Sequence, residues 1–194
     1  MEKYKNVLNF YSQYIQLEQV LRKGWLMRNV PAERIESVAD HTLQVLLLSS
    51  IITKEFNIKV DEYKLMEMLL IHDLGEAKIG DISEVEEDRE NKKAKEGEEV
   101  KVLLENLSDE SEQYYYSLWL EMERRNTPLS KFAYLLDKID AVIKAGVYEE
   151  EYDMQGLFEE FYSFQEQRET FKNTQLEDFF EYLGNVYFKD NGKS

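Results

Sequence analysis

Cysteine is absent from the 194 residues, so the chain has no disulfide and no thiolate metal ligand. Proline occurs twice and glycine eight times, too little punctuation for the many turns of a sandwich or barrel. Histidine also occurs only twice. Cations are in deficit: 24 Lys and Arg against 40 Asp and Glu give a net charge of −16. Such a surface repels nucleic acid polymers and anionic lipid. A small anionic ligand would need local help from a metal or a few placed cations, although the charge equally serves solubility. Long apolar runs are missing as well. The most apolar stretch, Val45 to Ile52, is broken by Ser49 and Ser50 and falls short of the roughly 20 residues that span a bilayer. The opening Met1 to Lys5 has no apolar signal region, and the expected location is cytoplasmic.

What remains is 43% hydrophobic and 33% charged residues, the composition of a folded domain with one core. The apolar spacing is helical almost throughout and predicts an all-α, single-domain bundle over 1–194. A first helix is expected over about 3–22, with Val7, Phe10, Tyr11, Tyr14, Leu17 and Leu21 on one side. A loop from Lys23 to about Ser37 holds Gly24 and Pro31. A strongly apolar helix follows over about 38–56. Asp61 is a good N-cap for a helix whose Leu65, Met68, Leu69 and His72 share a face. Gly75 and Gly80 bracket its end. Segment 84–101 is densely charged, and is expected to be a solvated helix surface or a mobile flap. Further helices are expected near 109–125, 129–147, 155–169 and 174–188.

Both histidines sit on the most apolar helices. His41 opens Asp-His-Thr-Leu-Gln-Val, and His72 closes Met-Leu-Leu-Ile-His-Asp. Either one alone reads more readily as a hydrogen-bonded core residue. Asp73 shifts the balance, because an unpaired carboxylate at the end of an apolar helix is costly and a divalent cation resolves that cost. On the helix over 129–147, Asp137 lies between Ala133 and Ala141, four residues either way, which leaves room for an ion. Its plainer alternative is an exposed aspartate pairing with Lys138 or Lys144. Two imidazoles and two carboxylates make a mixed nitrogen and oxygen set suited to a borderline or hard divalent metal. Just beyond His72-Asp73, Glu76 and Asp81 are carboxylates placed to move a proton on water, or else solvated acids at a fraying helix end.

The early loop reads Arg22-Lys23-Gly24-Trp25-Leu26-Met27-Arg28-Asn29-Val30. Arg22 and Arg28 can grip phosphate with bidentate forks, and Trp25 can pack on a sugar or base. Equally, the cations can satisfy a helix C-terminus, with Trp25 as a core anchor.

Taken in order, Arg-x-Gly-Trp-x-x-Arg-Asn-Val, Ser-Val-Ala-Asp-His, Ile-His-Asp-x-x-Glu-x-x-x-Gly-Asp and Lys-Phe-x-x-x-x-Asp resemble the HD-domain 5′-deoxynucleotidases. The resemblance covers about residues 10–185. It implies an HD-type helical bundle that removes the 5′-phosphate from deoxyribonucleoside or ribonucleoside 5′-monophosphates. It implies one divalent metal (Mn, Co, Mg, Fe, Ni or Zn) on His41, His72, Asp73 and Asp137. Glu76 then corresponds to the catalytic carboxylate and Asp81 to its partner in orienting water. Arg22, with adjacent Lys23 as the alternative, corresponds to the phosphate binder, with Arg28 in support and Trp25 against the sugar. The partner implied is a small nucleotide, with no nucleic acid polymer and no membrane, and the chain is expected to form a homodimer. With two histidines, relatives that need further histidines for two metals or for catalysis are disfavoured. Alarmone hydrolases usually carry a second acid where Ala77 stands. Action on another small phosphate ester or an alarmone, and a non-catalytic helical binding module, stay as alternatives.

Overall fold

Ser37 is where the fold's first long helix is set. Its hydroxyl accepts from the Asp40 backbone N–H at 3.1 Å, and the Asp40 carboxylate accepts in return from the Ser37 N–H at 2.9 Å. This reciprocal cap starts α3 (Val38–Glu55) and leaves His41 one turn inside it. The computed structural model describes residues 1–81, 89–163 and 169–190. Before α3 come α1 (Glu2–Tyr14), a 3-10 turn (Ile15–Gln19), the short α2 (Lys23–Leu26) and a second 3-10 turn (Ala32–Arg34). After it come α4 (Glu62–Ile71), α5 (Glu76–Ile79), α6 (Arg89–Leu104), α7 (Asp109–Arg124), α8 (Pro128–Tyr152), α9 (Leu157–Ser163) and α10 (Glu177–Asp190). Among the described residues no strand forms, and the one β-type contact is an isolated bridge between Leu21 and Ser37.

Helix α8 is the axis. Thr127 caps it, Pro128 takes the first turn where its missing N–H costs nothing, and Ser130 completes a capping box. Its 25 residues pack against α3, α4, α7, α9 and α10. Leu136 and Ile139 meet Met68, Leu69, Leu103, Leu104, Phe158 and Phe171 in the main core. A smaller cluster joins Trp25, Val30, Ile35, Ala145, Tyr148 and Leu157. Asp61 caps α4 through the Lys64 N–H, and Leu65, Met68 and Leu69 turn inward as their spacing requires.

The first helix is shorter than its apolar spacing suggests. It stops at Tyr14, and by Val20 the backbone is extended. The reason is pairing further on. Val38 N–H donates to the Val20 carbonyl at 2.8 Å, and Arg22 N–H to the Glu36 carbonyl at 3.1 Å, which a continuing helix would prevent. Of the expected stripe on this segment only Leu17 is buried, while Val7 and Tyr11 stay exposed. Within the charged segment 84–101, residues 84–88 lie outside the described residues. The remainder belongs to α6, which is docked on α5 and α7 through buried Val100, Leu103 and Leu104. The helix expected over 155–169 is described as far as Ser163, and residues 164–168 lie outside the described set.

Gly75 lets α5 and α6 meet. A methyl group there would lie 2.9 Å from the Glu96 carbonyl oxygen and 3.0 Å from its Cα, both backbone atoms that cannot step aside. Gly75→Ala is therefore expected to destabilise the fold by about 1–3 kcal/mol, the usual cost of overpacking. Urea unfolding of the variant checks this, and an unchanged midpoint would mean that α6 is not held there.

Candidate metal centre

Four helices deliver the site. His41 comes from the first turn of α3, His72 and Asp73 from the end of α4, Glu76 from the start of α5, and Asp137 from the middle of α8. His41 and His72 are sealed from solvent, and their Nε2 atoms face each other at 3.3 Å. Asp73 Oδ2 lies 3.1 Å from His72 Nε2 and 3.8 Å from His41 Nε2. Asp137 Oδ1 lies 3.1 Å from His41 Nε2. His41, His72 and Asp73 keep their donor atoms within 4.8 Å of one another, and Asp137 joins the group through His41.

The other ring nitrogens fix what these atoms can do. His72 Nδ1 lies 2.7 Å from the Leu69 carbonyl oxygen, which only accepts, so Nδ1 carries the proton and donates. His41 Nδ1 lies 2.8 Å from Asp140 Oδ2 and donates likewise. In the neutral rings both Nε2 atoms are then bare lone pairs, aimed at each other and at two carboxylates. The acceptors of His41, His72 and Asp73 crowd together, with Asp137 Oδ1 against His41, and they repel unless protons or a cation come between them. This donor set fits a divalent metal.

The electrostatics carry the same signature. Burial opposes charge on His72, but Asp73 and then Asp137 outweigh it and push its pKa up to about 9 from an ordinary 6.5. Burial and the Arg22 charge oppose protonation of His41, and hydrogen bonds to Asp137 and Asp140 still raise it. Burial works against ionisation of Asp73, yet His72 and Arg22 hold it below the usual carboxylate range. Asp137 is likewise held well down by Lys138 and His41 against its burial.

Arg22 reaches the cluster, with Nη1 3.4 Å from Asp73 Oδ2, and the charges of Asp81, Glu76 and Asp137 act on it as well. Asp81 Oδ2 accepts from the Lys23 backbone N–H at 2.6 Å, so the Gly80–Asp81 turn grips the loop that carries Arg22. Glu76 is buried at 2% exposure. Two residues of the early loop are placed elsewhere. Trp25 is not open to a sugar: it is 3% exposed, stacks on Phe161 at 4.7 Å, and donates from Nε1 to Glu36 Oε1 at 2.8 Å. Arg28 turns away to the Glu160 carboxylate and the Phe161 ring.

Two contributors, Asp140 and Glu36, escaped the sequence reading. Asp140 orients His41, and its signal was its place one turn beyond Asp137 on the same helix. Lys138 holds Asp137 Oδ2 at 3.0 Å, so the pairing weighed as the plain alternative exists on a buried aspartate. Lys144 pairs instead with Glu36, at 3.1 Å. Glu36 also accepts from Gln44, and nothing local in the sequence marked it.

The HD domain matches residues 15–178. The chain belongs to the HD domain family. Among HD-domain relatives, the 5′-deoxynucleotidase HDDC2 of Bos taurus is 31% identical over 159 residues, covering 81% of this chain and 75% of that protein. The 5′-deoxynucleotidase YGK1 of Saccharomyces cerevisiae is 26% identical, covering 75% of this chain and 69% of that one. Among solved structures, a conserved hypothetical protein from Pyrococcus furiosus superposes with a TM-score of 0.76 at 25% identity, over 92% of this chain and 99% of that one. A predicted metal-dependent phosphohydrolase from Magnetospirillum magnetotacticum gives 0.73 at 19% identity over 97% of each chain, and so shares the fold.

Metal and proton compete for the same Nε2 atoms. Because the His72 pKa is raised, its proton stabilises the metal-free protein fully below about pH 6.5, and that contribution is lost as pH rises through about 9. Metal affinity should therefore rise across this window, with proton release on binding. Calorimetry in buffers of different ionisation enthalpy checks this, and an affinity flat from pH 6.5 to 9 would exclude His72 as a ligand.

Proposed function

We propose that this HD-domain enzyme is a metal-dependent phosphohydrolase that removes the 5′-phosphate from nucleoside 5′-monophosphates, deoxyribonucleotides foremost, giving nucleoside and orthophosphate. The observation that carries the reading is the facing pair of imidazole Nε2 atoms, with Asp73 and Asp137 against them and Arg22 at the edge. The curated relatives named as 5′-deoxynucleotidases supply the substrate class.

In this reading His41, His72, Asp73 and Asp137 hold one divalent ion, drawn from Mn, Co, Mg, Fe, Ni and Zn. When bound, such an ion acidifies water and neutralises phosphoryl charge. Arg22 places its guanidinium on the phosphate oxygens and stabilises the charge that builds during transfer. Asp81 fixes the Arg22 loop through the Lys23 N–H, its charge acts on Arg22, and in this reading it helps to orient the water. Glu76, buried beside the cluster, moves the proton, off the attacking water or onto the departing O5′. Trp25 serves by anchoring the loop in the second cluster. Among the described residues no helix is long and apolar enough to cross a membrane.

Glu76→Ala should keep the metal and still bind a deoxynucleotide while losing about 10²–10⁴-fold in turnover, the usual contribution of a general acid or base. His72→Ala should lose metal and activity together. Metal content and turnover measured on the same preparations separate the two roles. Loss of metal from Glu76→Ala would make Glu76 a ligand.

The proposed enzyme works as a homodimer, joined through an uncharged stripe on α3. Leu43, Leu47 and Ile51 repeat every fourth residue there and stay at least half exposed. On a chain of −16, an uncharged face is where two copies meet with least repulsion. Among aromatic residues of the second half, Trp119 and Phe180 are buried and Tyr115, Tyr116 and Phe179 pack against the core, while Tyr114, Tyr182 and Phe188 stay exposed without forming such a repeat on one helix face. Sedimentation should give twice the chain mass, and Leu47→Glu should halve it. A parental monomer would refute the stripe as an interface.

A further inference from the structure

Arg22 and Lys138 stand at the two ends of one row of contacts. Arg22 Nη1 lies 3.4 Å from Asp73 Oδ2, which lies 3.8 Å from His41 Nε2. His41 Nε2 lies 3.1 Å from Asp137 Oδ1, and Asp137 Oδ2 lies 3.0 Å from Lys138 Nζ. The middle of the row is sealed, with the His41 and His72 side chains 0% and 6% exposed. The two cations at its ends keep 20% and 30% of their side-chain surface open. They lie close enough for each to feel the other's charge. An anion between them would relieve that repulsion.

The position of Lys138 follows from helix geometry. One residue past Asp137 is a turn of about 100° around α8, from the buried row to its rim. Its ammonium lies 5.1 Å from the centre of the Tyr134 ring one turn back, and Arg125 stacks over the same ring at 3.5 Å. The stem is thus guided along an aromatic face. Other lysines, such as Lys54, Lys64 and Lys93, pair with glutamates remote from the imidazole pair. Lys138 pairs with a carboxylate whose charge an ion at the imidazoles would draw toward itself. That leaves an ammonium with charge to spare at the edge of the site.

We infer that Lys138 is a second phosphate-binding residue, holding a phosphoryl oxygen across from Arg22. The inference rests on the phosphohydrolase reading and deepens it. A phosphate with one oxygen toward the imidazole row presents its others to either side, and the row has a cation on each. Arg22 supplies a planar fork, while Lys138 supplies a point charge able to follow an oxygen as it moves. A lysine that merely neutralised Asp137 would behave oppositely. Its removal would free Asp137, tighten metal binding, and leave phosphate affinity alone.

The experiment uses the metal-loaded protein and orthophosphate as probe. Lys138→Met keeps the apolar stem on Tyr134 and deletes the charge, and Lys138→Arg keeps the charge. Calorimetry should show orthophosphate binding at least about tenfold weaker in Lys138→Met, with metal content retained, and largely recovered in Lys138→Arg. The Michaelis constant for a deoxynucleoside monophosphate should rise in parallel. Unchanged orthophosphate affinity with tighter metal binding would overturn the inference. So would loss of metal from Lys138→Met, because the lysine would then serve coordination. A parental protein that binds orthophosphate through Lys138 yet leaves nucleoside monophosphates intact would defeat the substrate reading and spare this one.

Discussion

Everything at the centre depends on where two protons are not. The Leu69 carbonyl and the Asp140 carboxylate each claim the Nδ1 proton of one histidine, and so strip both Nε2 atoms of hydrogen in the neutral rings. Each claim needs a rigid support. Leu69 is fully buried in α4, and its carbonyl is presented where the helix ends. Asp140 sits in α8, which packs against α3, α4, α7, α9 and α10. A bare imidazole pair against two carboxylates is unstable by itself, and that instability is available to bind a cation.

A second support reaches the same place from the other side. The Glu36 carboxylate takes hydrogen bonds from Trp25, Gln44 and Lys144, and its carbonyl receives the Arg22 N–H. One buried acid thus ties the early loop to α3 and α8. Trp25 closes the arrangement by filling the smaller core cluster. The cationic loop is positioned by burying its tryptophan, which is why Arg22 and not Trp25 faces the imidazoles.

How much of this was legible follows from the range of each signal. The helical class and the inward faces of α3, α4 and α8 are written in apolar spacing, which acts within one element. His41, His72, Asp73 and Asp137 stood out because histidine is scarce and the acids lie on apolar helices. The family resemblance joined them across the chain. What stayed hidden depends on contacts across distant segments. Pairing of residues 20–22 with 36–38 ends the first helix early, although its own sequence favours continuing. Docking on α5 and α7 buries part of α6, although its charges suggest exposure. Glu36 and Asp140 look like ordinary surface acids until the partners that bury them are known. For Trp25 the composition allowed a ligand or a core role, and only packing decides between them.

Trp119 donates its indole N–H to the backbone carbonyl of His72 at 3.2 Å, and the chain has one other tryptophan, bonded to Glu36. Both indoles are therefore wired to the two scaffolds that aim the site, one under the imidazole and one under the guanidinium. Indole emission is sensitive to the polarity and charge around the ring. The protein accordingly carries two native optical reporters, so the arrival of an ion and the settling of the loop can be followed in time without a label.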